Sequence, residues 1–113
     1  MKFLTYTIGD PSAPMPEPTP DLYQRMDEFM AEANKAGVLL ATGGVADLNE
    51  GVKVSYHGGD YKVLDGPFTE SKELIGGWAL LECRDQDEAV EWVKRFLGVV
   101  GEGEVTVRQV FGP

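Results

Sequence analysis

The segment from Trp78 to Cys83 constrains the fold of this chain more than any other. It is apolar at every position except Glu82. A strand with apolar side chains on both faces is buried on both faces, whereas a half-buried strand alternates between apolar and polar residues. The sequence therefore predicts a sheet with this strand in its interior and with cover on each side.

Further strands are predicted on either side of this segment. Lys2 to Ile8 is rich in aromatic and β-branched residues, Val38 to Ala41 is a short apolar run, and Glu104 to Phe111 alternates. Between them, Val52 to Tyr56 and Tyr61 to Leu64 flank His57-Gly58-Gly59-Asp60, which is typical of a hairpin turn.

Two segments have the periodicity of amphipathic helices. The first begins after Thr19, which can cap it, and Gly37 is placed to stop it. The second begins after Asp85, with Glu88 three residues later as in a capping box, and Gly98 is placed to end it. Their apolar stripes are Leu22, Met26, Phe29, Met30 and Ala33 in the first helix, and Ala89, Trp92, Val93 and Phe96 in the second.

The order of elements predicts a single domain over residues 1–113 with an α+β fold. Two βαβ halves joined by a hairpin give a ferredoxin-like layer, an antiparallel sheet with both helices on one face. The other face of the Trp78 to Cys83 strand then lacks cover. We expect a second copy of the chain to cover it, which predicts a homodimer.

Charge and composition exclude several classes of function. A net charge of -9 argues against nucleic-acid binding, which depends on clustered Lys and Arg. The sequence has no apolar run long enough for a membrane span and no signal-peptide pattern at its N-terminus, so we expect a cytoplasmic protein without a membrane partner. One histidine and one cysteine, Cys83, make a metal site improbable, and no motif indicates a cofactor. Cys83 is expected to be a buried filler.

Asp65 is the first candidate site residue. It precedes Gly66-Pro67, whose backbone preferences define a turn, and Phe68, which would anchor that turn. A cleft between two facing sheets, closed by the proline-rich loop that begins at Pro11, would suit a small molecule. A carboxylate partly desolvated in that cleft could act as a base. Alternatively, Asp65 hydrogen-bonds its own turn.

Arg108, Tyr6 and Phe68 are the predicted substrate-binding residues. Arg108 lies on a strand surface that otherwise carries Thr106 and Val110, so its guanidinium needs a partner. That partner is either an anionic substrate or Asp65, and a structural salt bridge is the alternative to a role in binding. Tyr6 could direct its hydroxyl into the same cleft or remain a core residue.

Asp65-Gly66-Pro67-Phe68, followed by Glu70, Lys72-Glu73 and Gly76-Gly77, resembles the signature of the DGPF family, a branch of the YCII-related proteins. The resemblance covers nearly the whole chain. It implies a dimeric α+β barrel in which two sheets face each other. Most members of the family have no assigned reaction, so the resemblance defines a family rather than a function.

The chain departs from this family in one respect. YCII-like relatives are thought to use a histidine with an aspartate, and many DGPF relatives carry that histidine in the first helix. Here the corresponding position falls near Met26, beside Arg25. A His-Asp dyad therefore does not carry over unless His57 reaches the cleft.

Two functions remain open at this point. The first is a dimer that binds a small organic ligand between its sheets, with an anionic ligand as one option, and that catalyses cofactor-free proton transfer or elimination with Asp65 as the base. The second is a non-catalytic module for ligand sensing or protein interaction, because DGPF-type domains also resemble regions attached to bacterial transcription regulators. Loss of the helix histidine favours the second.

Overall fold

The structure is a computed structural model that describes residues 1–9, 19–46, 51–65 and 74–112. Its eight elements follow the order predicted from the sequence. They are β1 (Lys2–Gly9), α1 (Pro20–Lys35), β2 (Leu39–Gly44), β3 (Val52–His57), β4 (Asp60–Asp65), β5 (Leu74–Glu82), α2 (Gln86–Val100) and β6 (Glu104–Val110).

The main sheet has four antiparallel strands in the order β2-β5-β1-β6. Without the hairpin, this is the strand order of a ferredoxin-like fold, so the predicted fold class is confirmed. Strands β3 and β4 form a separate two-stranded sheet. The hairpin is therefore an insertion between the second and third strands of the ferredoxin-like layer.

Both helices pack on one side of the main sheet. Phe3 of β1 and Leu81 of β5 are directly opposite each other and cluster with Ala89 of α2 and with Trp92. Side chains alternate between the faces of a strand, so the neighbours of these residues point away from the helices. We call that second side the open sheet face. It carries Leu4, Tyr6, Ile8, Trp78, Leu80, Thr106, Arg108 and Val110.

The predicted helix starts are confirmed by their caps. The Thr19 hydroxyl accepts from the backbone N–H of Leu22 at 3.2 Å, and the Asp85 carboxylate accepts from that of Glu88 at 2.8 Å. The sequence indicated that the second helix ends at Gly98, but the helix does not end there. The helix continues to Val100, because Gly101 is the glycine that takes a positive φ, at 97°, while its N–H bonds to the carbonyl of Leu97.

Strand β5 is longer than the sequence indicated, whereas β6 ends at Val110, one residue before the predicted end at Phe111. Strand β5 begins at Leu74, and its register with β1 shifts between Tyr6 and Ile8, so that Gly76 and Gly77 together oppose Thr7. A Cβ atom on Gly76 would lie 3.1 Å from the Thr7 hydroxyl, and one on Gly77 would lie 3.5 Å from the carbonyl of Gly43. The paired glycines therefore lie close to the Thr7 side chain on one neighbouring strand and in contact with the Gly43 backbone on the other.

The core lies at one end of the sheet. Cys83 is buried there with Phe3 and Ala89, as expected for a small filler. Burial raises the pKa of the Cys83 thiol, and the nearby Glu88 carboxylate raises it further. Among the described residues, no helix is both long and apolar enough to cross a membrane.

Gly43 gives a test of the packing on the open sheet face. A Cβ atom at this position would lie 3.2 Å from the Trp78 ring, so we expect Gly43→Val to lower the free energy of unfolding by about 1–3 kcal/mol. Gly98→Ala is the control, because it adds a methyl group in open space within a helix and should raise stability by up to about 1 kcal/mol. Urea unfolding measures both values, and equal midpoints for Gly43→Val and wild type would contradict the packing.

Candidate functional site

A cavity of about 220 Å³ lies between the two helices and the sheet. Its floor is the helix-facing side of β1, β5 and β2, and its roof is formed by side chains of α1 and α2. An engineered cavity of about 150 Å³ in another protein binds benzene, so a molecule with one aromatic ring fits a space of this size. The cavity adjoins the buried core, because Val38 and Leu81 belong to the core and also line the cavity, and it extends from there towards Thr7 and Gly77.

Small residues on the floor create this space. On the floor, Thr5 and Thr7 of β1 lie opposite Ala79 and Gly77 of β5. Further along the same two strands, the helix-facing positions carry the larger side chains of Phe3 and Leu81. The roof is aromatic. It consists of Phe29 from α1 with Trp92 and Phe96 from α2, whose ring centroids lie 6.0 and 6.3 Å from that of Phe29.

Three hydroxyl groups supply the polar atoms of the floor. Thr5 donates to the carbonyl of Ala79 at 3.1 Å, and Thr42 donates to that of Trp78 at 2.8 Å. Thr7 accepts from the N–H of Gly77 at 2.9 Å. The hydrogens of Thr5 and Thr42 are thus committed to the sheet, while their oxygens keep lone pairs. These two hydroxyls can accept a hydrogen bond from a ligand but not donate one.

None of the described residues that line the cavity is charged. An ion transferred into such a site would lose its hydration without gaining a partner, which costs several kcal/mol. The cavity therefore suits a neutral molecule, such as a ring compound that carries an O–H or N–H group.

An ion pair and a cation–π contact close the roof from outside. The Arg95 guanidinium lies 4.5 Å from the centroid of the Trp92 ring and pairs with Glu32 of α1. Its hydrogen bond to Glu32 lowers the pKa of that carboxyl below the ordinary value, against a smaller opposing effect of burial. Arg25 adds a second link between the helices, because its Nη2 donates to the carbonyl of Gly98 at 2.9 Å.

The structure brings Tyr6 and Arg108 to the same face of the sheet. Tyr6 is opposite Thr106 on β6, and Arg108 is opposite Leu4 on β1, so their side chains are diagonal neighbours on the open sheet face. Tyr6 also borders the cavity. Arg108 is exposed and forms no ion pair within the described part of the chain.

Asp65 lies elsewhere, at the end of β4 opposite Val52. His57 is opposite Asp60 at the other end of the same hairpin. Five residues of strand separate the two positions, which is roughly 17 Å at the usual rise per residue. Within one chain, therefore, His57 does not approach Asp65.

Two further expectations concern residues 10–18 and 66–73, which are outside the described residues. The first is that the proline-rich loop acts as a lid, and the second is that Phe68 anchors the turn that follows Asp65. Among the described residues, Gly9 at the end of β1 is paired with Leu74 at the start of β5. At the position where relatives carry a helix histidine, Met26 is half-buried.

Sequence reasoning did not identify the residues that form the cavity. Thr5, Thr7 and Thr42 look like ordinary strand residues, and Trp92 and Phe96 look like core. One signal was present: the helix-facing positions of β1 and β5 change from large to small along the strands. That signal can be interpreted only after the pairing of Thr5 with Ala79 is known.

The fold and the cavity together define a small α+β protein of ferredoxin-like topology with a ligand-sized apolar pocket. The family model described as "YCII-related domain" matches residues 1–112. The chain therefore belongs to the YCII-related family, which confirms the resemblance noted from the Asp65 signature.

Known proteins that are similar to the chain include the following two. "Uncharacterized protein R00369" of Rhizobium meliloti (strain 1021) is 30% identical over 60 residues, which are 53% of this chain and 48% of that protein, so the match spans about half of the relative's length. The solved structure of 5-chloro-2-hydroxyhydroquinone dehydrochlorinase (TftG) from Burkholderia phenoliruptrix AC1100, in complex with 2,5-dihydroxybenzoquinone, has a TM-score of 0.46 and 19% identity. That likeness covers 100% of this chain and 96% of the other.

The Glu32–Arg95 pair gives a pH-dependent prediction. Because the pKa of Glu32 is lower in the folded chain than in the unfolded chain, the pair stabilises the fold above the unfolded-state pKa. That contribution is lost as the pH falls through the folded-state pKa. In Arg95→Met, the titration midpoint of the Glu32 carboxyl, followed by carbon-13 NMR, should move up towards its ordinary value. An unchanged midpoint would show that Arg95 does not hold Glu32 ionised.

Proposed function

We propose that this protein is a homodimer that binds a small, neutral, largely apolar organic molecule in the cavity between its helices and its sheet. One observation carries the proposal: the cavity is apolar and uncharged, and two of its hydroxyls are limited to accepting hydrogen bonds. Such sites fix orientation with a few polar groups and gain affinity from apolar contact. The favoured ligand has one ring and a hydrogen-bond donor.

The homodimer is supported by the open sheet face. Leu4, Tyr6 and Leu80 are only half-buried there in a single chain, and Ile75 and Val110 are 48% and 39% exposed. A contiguous apolar surface of this kind is typical of a protein interface. Lys2, Glu82 and Glu104 surround the apolar residues with charge, as in the polar rim of an interface.

The proposed ligand class can be tested with three ring compounds of similar size. Phenol should bind with a dissociation constant on the order of millimolar, toluene more weakly, and benzoate not measurably, since the cavity accepts hydrogen bonds and lacks charge. Nitrogen-15 NMR should show the shifts at the Gly77 amide and the Trp92 indole.

Two variants control this experiment. Ala79→Leu should abolish phenol binding by filling the floor. Thr5→Val should weaken phenol by about 2- to 10-fold and leave toluene unchanged, because it removes one acceptor. Equal binding of benzoate and phenol, or normal binding by Ala79→Leu, would contradict the proposed site.

A second candidate function is cofactor-free proton transfer or elimination. In it, Asp65 is the base, Arg108 anchors an anionic group, and Tyr6 and Phe68 contact the substrate in a cleft between the sheets of two copies. What supports it is the diagonal placement of Tyr6 and Arg108 on the open sheet face. Tyr6 borders the cavity as well, but Asp65 and Arg108 do not line it, so variants at these two residues test the second candidate separately.

The 4-acetylbenzoate ion in D₂O is a suitable probe for the second candidate, because its carboxylate can pair with Arg108 and removal of its methyl protons by a base lets deuterium from the solvent replace them. We expect Asp65→Asn to lose this exchange and to keep phenol binding, while Asp60→Asn at the other end of the hairpin retains both. Proton NMR measures the rate. Absence of exchange in the wild-type protein would reject proton transfer with this ketone and favour the non-catalytic alternative, a ligand-sensing or interaction module.

A further inference from the structure

The β3–β4 hairpin has one apolar face. Directly opposite residues of paired strands point to the same side, and three such pairs share it: Val52 with Asp65, Val54 with Val63, and Tyr56 with Tyr61. The two tyrosine rings lie 4.7 Å apart. We call this side the apolar hairpin face. The opposite side is mainly polar and pairs Lys53 with Leu64, Ser55 with Lys62 and His57 with Asp60.

No part of the described chain covers the apolar hairpin face. Val54 is 62% exposed, Val63 64% and Tyr61 76%. Strands β3 and β4 have extensive contacts only with each other among the described elements. The radius of gyration is 16.5 Å, compared with about 13 Å for a compact chain of this length, which indicates a projecting hairpin.

Asp65 is the one charged residue on the apolar hairpin face. Covering this face with apolar surface alone would bury its carboxylate without a partner, at a penalty of several kcal/mol. The surface that covers the face must therefore be largely apolar and must present a cation beside Asp65.

The open sheet face has both properties. It is apolar around Leu4, Tyr6 and Leu80, and it carries Arg108 next to Tyr6. No described part of the chain covers it. The described residues therefore leave two apolar surfaces uncovered, one with a carboxylate and the other with a guanidinium, and neither charge has an ion pair among those residues.

We infer that, in the homodimer, the hairpin of each copy lies across the open sheet face of the other and that Asp65 of one copy meets Arg108 and Tyr6 of the other. This inference rests on the homodimer of the proposed function and specifies how its two copies join. It makes the site of the second candidate function intersubunit, because neither copy contains Asp65 and Arg108 in one place. A two-fold arrangement forms the contact twice.

The hairpin contacts supply most of the area that a stable dimer needs. From strand spacing and rise, the hairpin face spans roughly 200 Å² and covers about the same area of the partner's sheet, so the two contacts bury on the order of 800 Å². Contact between the remaining parts of the two open sheet faces, each roughly 250 Å² of about 450 Å², would raise the total to about 1,300 Å². Stable interfaces typically bury about 1,200–2,000 Å². A hairpin alone is only marginally stable in water, and cover by a second copy would also stabilise it.

Two charge-reversed variants test the inference, Asp65→Arg and Arg108→Asp. Alone, each places like charges at both contacts of its homodimer, so its dimer dissociation constant should rise by about 10- to 100-fold. In an equimolar mixture, the heterodimer has one native contact and one with the charges exchanged. Its dissociation constant should therefore return to within a few-fold of the wild-type value. Analytical ultracentrifugation gives the constants, and native mass spectrometry identifies the heterodimer.

Matched controls change the same charges on the polar side of the hairpin. Asp60→Arg and Lys62→Asp should each leave the dimer constant within a few-fold of wild type, and mixing them should change nothing. These controls separate a specific contact from a general effect of net charge on association.

The outcomes separate this inference from the proposed function. If mixing does not restore the dimer but the double variant Asp65→Arg/Arg108→Asp in one chain does, the pair is within a chain and the inference fails, while the homodimer stands. If Asp65→Arg assembles like Asp60→Arg, the inference also fails. A monomeric wild-type protein at micromolar concentration would overturn both the inference and the homodimer. Phenol binding, measured separately, would still report on the cavity.

Discussion

The pairing of β1 with β5 is the interaction on which the rest of the structure depends. It joins residues about 75 positions apart in the chain. Two hydrogen bonds of 2.9 Å continue the pairing at one end: the Met1 ammonium donates to the carbonyl of Cys83, and the N–H of Cys83 donates to the carbonyl of Met1. These strands are the two central ones of the sheet. The two helices cover one of their faces, and no other described element covers the second face.

The same pairing determines where the cavity lies. At one end, Phe3 and Leu81 fill the space under the helices, and at the other end Thr5, Thr7 and Gly77 do not. If a cavity of about 220 Å³ stayed closed and dry, it would cost about 5 kcal/mol, comparable to the whole stability of a small domain. Small floor residues beneath an aromatic roof therefore make structural sense if the space holds a ligand or solvent.

Local features of the sequence predicted the fold well. The caps at Thr19 and Asp85 and the turn at Gly58-Gly59, where both glycines have positive φ, depend on neighbouring residues and were identified correctly. The predicted end of the second helix was wrong. Gly98 and Gly101 are equivalent stop signals in the sequence, but only Gly101 takes a positive φ in the structure.

The site could be predicted only in part, because it depends on pairing between distant strands. Alternation along β6 predicted that Arg108 shares a face with Val110, but it gave no indication that Tyr6 lies diagonal to it on the neighbouring strand. Likewise, a hairpin was expected, but its separation from the main sheet was not, and that separation keeps Asp65 away from Arg108 within the chain. The apolar hairpin face could have been found by pairing residues outward from the glycine turn, which aligns Tyr56 with Tyr61 and Val54 with Val63. A one-residue change in that register would put the valines of one strand opposite the lysines of the other. Apart from Asp65 and Leu64, the two sides are segregated, and this segregation supports the proposed partner surface for the apolar side.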